Sequence, residues 1–202
     1  MKLIKITLFS ILVAMTTACN QVQLPNDLIQ DNTGYEKLTD YIYSHFPDLK
    51  DNIEVMEFSY SGSIHPQRDE LSSSITMNIV RGDNKDYIIA YGVDSEGRLT
   101  TNNVDISVGD IVNQTLSNSY DTYKPFLFSA KEINFDTLRE IVAKATEEFK
   151  KEANAETAYC SSIVIDKKEN KAPEISVEIK ERKFSTKLFR LSTWSIDGKR
   201  ID

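Results

Sequence analysis

Two cysteines, two histidines and one tryptophan in 202 residues leave this chain short of the usual instruments of chemistry. His45 and His65 stand far apart in sequence. There is no His-Glu-x-x-His, no Gly-x-Ser-x-Gly, no phosphate-cradling glycine loop and no pair of cysteines at zinc spacing. The expectation is therefore a protein with no catalytic residue, no metal and no cofactor. Positive charge is scarce as well. Twenty-four Lys and Arg against 31 Asp and Glu give a net charge of -7. That balance argues against nucleic acid, which needs a basic footprint, and against broad contact with anionic headgroups. After Met15 no apolar run approaches the roughly 20 residues that cross a bilayer. Apolar content of 40% and charged content of 27% suit a globular body of one medium domain or two small ones.

What is present begins at the start. Lys2 and Lys5 precede the apolar run Ile6 to Met15, and Thr16-Thr17-Ala18 lead small residues up to Cys19. Charge, a short greasy segment and small residues make a secretory signal peptide over 1–18. Met15-Thr16-Thr17-Ala18-Cys19 resembles the lipobox of bacterial lipoproteins, although Thr16 stands where Leu is usual. The resemblance implies that Cys19 becomes the new N-terminus and carries a diacylglycerol plus an acyl chain such as palmitate. Two lipid attachments of this kind suffice for stable anchoring. Asn20, in place of the Asp that resembles an inner-membrane retention signal, points to the outer membrane, facing the periplasm, if the source has one. Loss of Lys2 and Lys5 with the leader takes the net charge from -7 to -9. With Cys19 lipidated, Cys160 has no partner and no disulfide framework exists. In a predicted strand it reads as a small buried hydrophobe sooner than as a reactive thiol.

Residues 19–32, polar and containing Pro25, are expected to be a lipidated N-terminus and tether. Thr33-Gly34-Tyr35-Glu36 has capping-box form, and Tyr35, Leu38, Tyr41 and Ile42 fall on one face of the helix that follows, which Pro47 ends. Strands are predicted over 53–64, 71–81 and 87–93, with a further one over 99–108. Ile75-Thr76-Met77-Asn78-Ile79 alternates as a half-buried antiparallel strand does. Residues 109–132 read as a connector, in which Asp110 would cap a short helix carrying Ile111, Val112 and Leu116. A second helix starts at the N-cap Asn134, with Phe135, Leu138, Ile141, Val142, Ala145 and Phe149 as its apolar stripe. Strands over 158–165, 174–183 and 184–196 follow.

The two halves, 33–108 and 133–202, share an order of helix, three strands and a Gly-basic turn. Tyr35 aligns with Phe135, Leu38 with Leu138, Ile42 with Val142, and Ile75 to Ile79 with Ile175 to Ile179. Glu96-Gly97-Arg98 aligns with Asp197-Gly198-Lys199 after one residue of drift. This suggests duplication of a helix-plus-sheet unit. A helix, a three-stranded meander and an acidic-Gly-basic turn resemble the PepSY-like domains of secreted bacterial proteins. Tandem copies behind a lipobox are similar to the architecture of the beta-lactamase inhibitor proteins. The fold class expected is α+β, in two similar lobes, each a helix packed on an antiparallel sheet of three to four strands.

The resemblance implies binding, inhibition or envelope assembly in place of catalysis. The leading expectation is a membrane-anchored, non-catalytic module that binds a protein with a basic surface; an inhibitor or an immunity protein is a specific version. The alternative is a structural or assembly factor of the envelope, and a third reading is a hydrolase with an unrecognised site. Candidate binding residues are Trp194, Tyr159 and Phe189, with Phe184 nearby in sequence. Trp194 has two readings: core packing, usual for a lone tryptophan, or an anchor for a partner. An inhibitor should expose an aromatic–acidic patch, an assembly factor an apolar groove, and an enzyme polar groups converging in a deep pocket.

Overall fold

A computed structural model describes residues 23–50, 52–104, 108–110, 115–117, 119–182 and 188–202. The leader and Cys19 lie outside the described residues, as does Phe184. The architecture is α+β, an eight-stranded antiparallel sheet with helices packed on it. The first half supplies α1 (Thr33–His45), β1 (Glu54–Ile64), β2 (Leu71–Val80), β3 (Ile88–Asp94) and β4 (Leu99–Val104). Next come a two-stranded ribbon, β5 (Val108–Asp110) with β6 (Thr115–Ser117), a short α2 (Tyr120–Tyr123) and the two-residue β7 (Phe128–Ser129). The second half supplies α3 (Phe135–Ala153), β8 (Ala158–Asp166), β9 (Glu174–Glu181) and β10 (Phe189–Ser195).

The halves are joined at the middle of one sheet. Its order is β10-β9-β8-β1-β2-β3-β4, with β7 added beside β1. β1 pairs antiparallel with β8 from Glu57↔Asp166 to Ser61↔Ser162. The expected lobes therefore do not have separate cores. Leu38 and Ile42 of α1, Phe58 and Met77 beneath them, and Leu138, Ile141, Ile163 and Val177 of the second half belong to one buried cluster. Both helices are amphipathic, and both lie on the same sheet face because only that face carries the alternating apolar residues.

Sequence correspondences between the halves recur as backbone geometry. In β1 the register slips between Val55, opposite Ile79, and Glu57, opposite Asn78. In β8 it slips between Cys160, opposite Ile179, and Ser162, opposite Glu178. Both are single-residue bulges at the same place against the second strand of the half. Gly97 and Gly198 share a left-handed φ, 81° and 82°, which glycine adopts without a Cβ clash. Around them Asp94 N donates to Arg98 O at 3.1 Å and Ser195 N to Lys199 O at 2.8 Å. Beyond the turns, Val93 pairs with Leu99 in β4, while Trp194 and Arg200 form a lone bridge in the corresponding place.

Three local expectations are corrected. Residues 24–32 are part of the body: Leu24, Leu28 and Ile29 are buried in the main core. The segment is fixed by Leu28 N donating to Ser73 Oγ and Ser73 Oγ donating to Asn26 O, both at 2.8 Å. Thr33 is the first residue of α1 and not its cap; the Asp31 carboxylate accepts from the Thr33 amide at 2.9 Å. Asp110 ends a strand of the ribbon where a helix start was expected. Asn134 caps α3 as expected, accepting from the Asp136 and Thr137 amides.

Burial of Leu28, 0% exposed, leads to a prediction. Leu28→Ala should lower stability by about 2–5 kcal/mol, the usual range for emptying a buried leucine site. Urea denaturation of the variant beside wild type measures it. A midpoint unchanged by the substitution would mean that the segment is a free tether after all.

Candidate functional site

The sheet face opposite the helices follows from the strand register, since residues directly opposite one another share a face. Across its centre run Ser59, Ser61 and Ser63 of β1, paired with Thr76, Ser74 and Ser72 of β2. Ser162 and Val164 of β8 continue these rows on one side, and Gly92 and Asp94 of β3 on the other. The alternation Ser59-Tyr60-Ser61-Gly62-Ser63 builds this: Tyr60 points into the core while the serines point away. Hydroxyls are too small to cover backbone or to pack a second layer. The centre of the face is thus shallow and polar.

One end of the face is closed. Tyr123 and Leu127 lie over Val80 and Ile88, with Met56, Val104, Tyr120 and Phe126 around them, forming a second small core. Tyr120 Oη donates to Glu54 at 2.6 Å, and the Lys167 ammonium donates to Leu127 O at 2.9 Å. No local pattern in residues 109–132 indicates that the connector crosses to this side. Its apolar residues show no sustained period, and the bulge that sends Met56 toward them is invisible in a single sequence.

Toward the other end lies a depression of roughly 230 Å³ beside Ser61, Ser74, Asp94 and Arg98. Arg98 Nε sits 2.6 Å from Asp94 Oδ2, and Arg98 Nη1 sits 3.0 Å from Glu96. Partial burial pushes the Asp94 carboxyl up, but the hydrogen bond and charge of Arg98 outweigh this and hold it below the usual range. Glu178 behaves alike: burial is opposed and exceeded by Lys180 and Ser161, so it also stays low. These are fixed ions and hydroxyls in a rim. Among the described residues no group of three His, Cys, Asp or Glu could hold a metal ion.

The candidate binding residues divide between the two faces. Tyr159 is opposite Lys180, which is opposite Phe189, so the two aromatics flank one lysine on the helix-free face. Phe189 is 57% exposed and Leu191, two residues on, 60%. Leu191 is opposite Glu178, whose carboxylate lies 2.6 Å from the Lys180 ammonium. Trp194 is on the other side, 3% exposed in the main core, its indole N–H donating to Ser192 Oγ at 2.9 Å. It packs in the core, which corrects the expectation that it anchors a partner. A residue that alternates with small polar neighbours can face either way, and here the register decides.

The remaining singled-out residues have structural partners. Cys160 is buried, and its thiol is pushed up to about 12 by burial, with the negative charge of Asp27 adding to it. Such a thiol is a poor nucleophile at neutral pH. Asp27 accepts from Tyr60 Oη at 2.8 Å, and burial followed by that carboxylate raises the phenol far above its ordinary value. His45 closes α1 against Tyr41, at 4.7 Å between ring centres. His65 lies in the β1–β2 loop, its Nδ1 accepting from the Gln67 amide at 3.3 Å.

No known family, curated protein or solved structure matches the chain. The face must be read from its own chemistry.

Glu57 supplies a test of that face. It stands opposite Asp166, and burial, followed by the Asp166 charge, raises its carboxyl above the ordinary value. A raised carboxyl contributes stability that is fully present below the unfolded value of ~4.3 and is lost as pH rises through the folded one. Glu57→Gln should therefore be more stable than wild type at pH 7, and the difference should vanish near pH 4. Thermal unfolding at the two pH values reads this directly; an advantage independent of pH would disprove the account.

Proposed function

We propose that this chain is a non-catalytic protein-binding module of a bacterial cell envelope, anchored by a lipid on Cys19 and recognising its partner with the helix-free sheet face. An inhibitor or an immunity protein is the version we favour. The observation that carries the reading is the composition of that face: hydroxyls at its centre, fixed ion pairs on its rim, and Tyr159, Phe189 and Leu191 toward one edge. Small side chains let a partner approach the backbone closely and lose little rotamer freedom on binding. The aromatics and Leu191 supply apolar area of the kind that dominates binding energy, beside the acidic Glu178. Glu178 is the acidic member of this patch, and its carboxylate is paired with Lys180.

Further support comes from the two bulges at one register position and the two left-handed glycine turns. They favour a duplicated unit, in keeping with the resemblance to tandem PepSY-like domains and to beta-lactamase inhibitor proteins. The acidic balance of the chain favours a partner with a basic surface.

The test is capture of a partner by the chain from Cys19 onward, immobilised and exposed to envelope and secreted extracts at low and moderate salt. One stoichiometric protein, weakened by salt, is the expected result. Ser74→Arg, which places a long cation in the depression, should reduce its retention at least tenfold without changing the unfolding midpoint. Retention equal to wild type would remove the face from the interaction. Recovery of a multi-protein envelope complex would favour assembly over inhibition.

A further inference from the structure

β10 is the last strand of the sheet, and its outer edge is only partly filled. Ser195 N donates to Lys199 O and Ile201 N to Thr193 O, both at 2.8 Å, so Thr193 and Ser195 turn their backbone groups away from β9. Leu188 O accepts from Glu181 N at 3.1 Å and so faces β9. In an antiparallel strand this direction alternates from residue to residue. The register with β9 is unbroken from Phe189↔Lys180 to Ser195↔Glu174, so no bulge disturbs the alternation. Phe189 and Leu191, in step with Thr193 and Ser195, therefore turn their N–H and C=O outward. Among the described residues no strand lies beyond them.

The first half shows what such a place accepts. Asp94 N donates to Arg98 O as Ser195 N does to Lys199 O, and Val93 pairs with Leu99 as Trp194 does with Arg200. From there the halves part. β4 runs on along β3, with Thr100 opposite Gly92, Asn102 opposite Ala90 and Val104 opposite Ile88. In the second half, residues 199–202 reach only Thr193, whose amide donates to Asp202 Oδ1 at 3.0 Å. Counted from the two turns, Leu191 and Phe189 hold the places of Ala90 and Ile88, which β4 covers. Sheet edges are commonly guarded by lysine, proline or a bulge. Here the outward-turned residues are Phe189, 57% exposed, and Leu191, 60% exposed.

We propose that the protein partner docks by an extended segment, which adds to the outer edge of β10 at Phe189 and Leu191 as β4 adds to β3. This rests on the proposed function and gives both residues the same occupant. The backbone chooses it. A lipid or a smooth apolar surface would cover the side chains but leave the outward N–H and C=O without partners, which is costly. A peptide strand supplies both at the right spacing. Its residues directly opposite Phe189 and Leu191 share their face and are apolar, alternating with polar ones. The rest of the partner then lies across the hydroxyl face beside this edge.

The test selects phage displaying random segments of about ten residues, enough for one strand, on the immobilised chain from Cys19 onward. Segments with alternating apolar residues should be enriched. Two variants then separate backbone from side chain. Leu191→Ala shortens the side chain and keeps the outward N–H. Leu191→Pro removes that N–H, which β9 does not use, and proline is tolerated at such a place on an edge strand. The enriched segment, made as a peptide, should bind Leu191→Pro at least tenfold more weakly than Leu191→Ala, with their unfolding midpoints alike. In wild type the Leu191 amide should exchange at least tenfold more slowly with the peptide bound, a readout that needs no variant. No enrichment, equal affinity for the two variants, or an unchanged Leu191 exchange rate overturns strand addition. Capture of a partner and its loss in Ser74→Arg read the face as a whole, while the proline–alanine difference reads the edge alone, so either can fail without the other.

Discussion

The antiparallel pairing of β1 with β8 is the constraint on which the rest of the molecule depends. Each is the first strand of its half, and each is followed by a meander running outward. Joining them fixes the strand order and brings both helices to one face. It also merges what would be two small hydrophobic clusters into one. A helix on three strands is a small unit with a poor ratio of core to surface. Sharing the central pair removes two sheet edges and lets residues such as Phe58 and Ile163 be fully buried. The same pairing leaves the opposite face continuous across both halves, so any recognition surface there belongs to the whole sheet.

The N-terminal segment strengthens this join at one end. Leu28 packs into the core while Asp27 and Asn26 meet Tyr60 and Ser73, which belong to β1 and β2. Buried polar groups are costly unless they are satisfied, and Tyr60, Asp27, Ser73 and the two backbone groups satisfy one another. A segment that is polar by composition can thus be structural, because three buried apolar side chains, Leu24, Leu28 and Ile29, are enough to hold it.

Helices, meanders and their order were legible in the sequence, because amphipathic spacing and period-two alternation directly express which face is buried. Asn134 and the two Gly turns were legible for local reasons of capping and positive φ. Three things were not. The role of residues 24–32 turns on which hydrophobes find the core, and a period cannot show this for a stretch without regular structure. The direction of Trp194 turns on register, where a slip of one residue exchanges the faces. The joining of the halves is a long-range pairing, to which no local pattern points. The candidate site is half legible: Tyr159 and Phe189 do share a face, and the serine alternation over 59–63 is the sequence signal for the polar centre beside them.

The paired bulges show how one backbone device can serve two purposes. A bulge adds a residue to one strand and re-aims the side chain it carries. In β1 that residue is Met56, which joins the small core under Tyr123 and Leu127 and so helps close one end of the hydroxyl face. In β8 it is Ser161, which is buried and donates to Glu178 O at 3.2 Å. The first bulge extends packing onto the second face; the second steadies the carboxylate that stands between Lys180 and Leu191. Both bulges stand at one register position, opposite Ile79 and Asn78 in the first half and Ile179 and Glu178 in the second. The residues they carry differ, Met56 packing at the covered end of the face and Ser161 lying at the end left open around Tyr159 and Phe189.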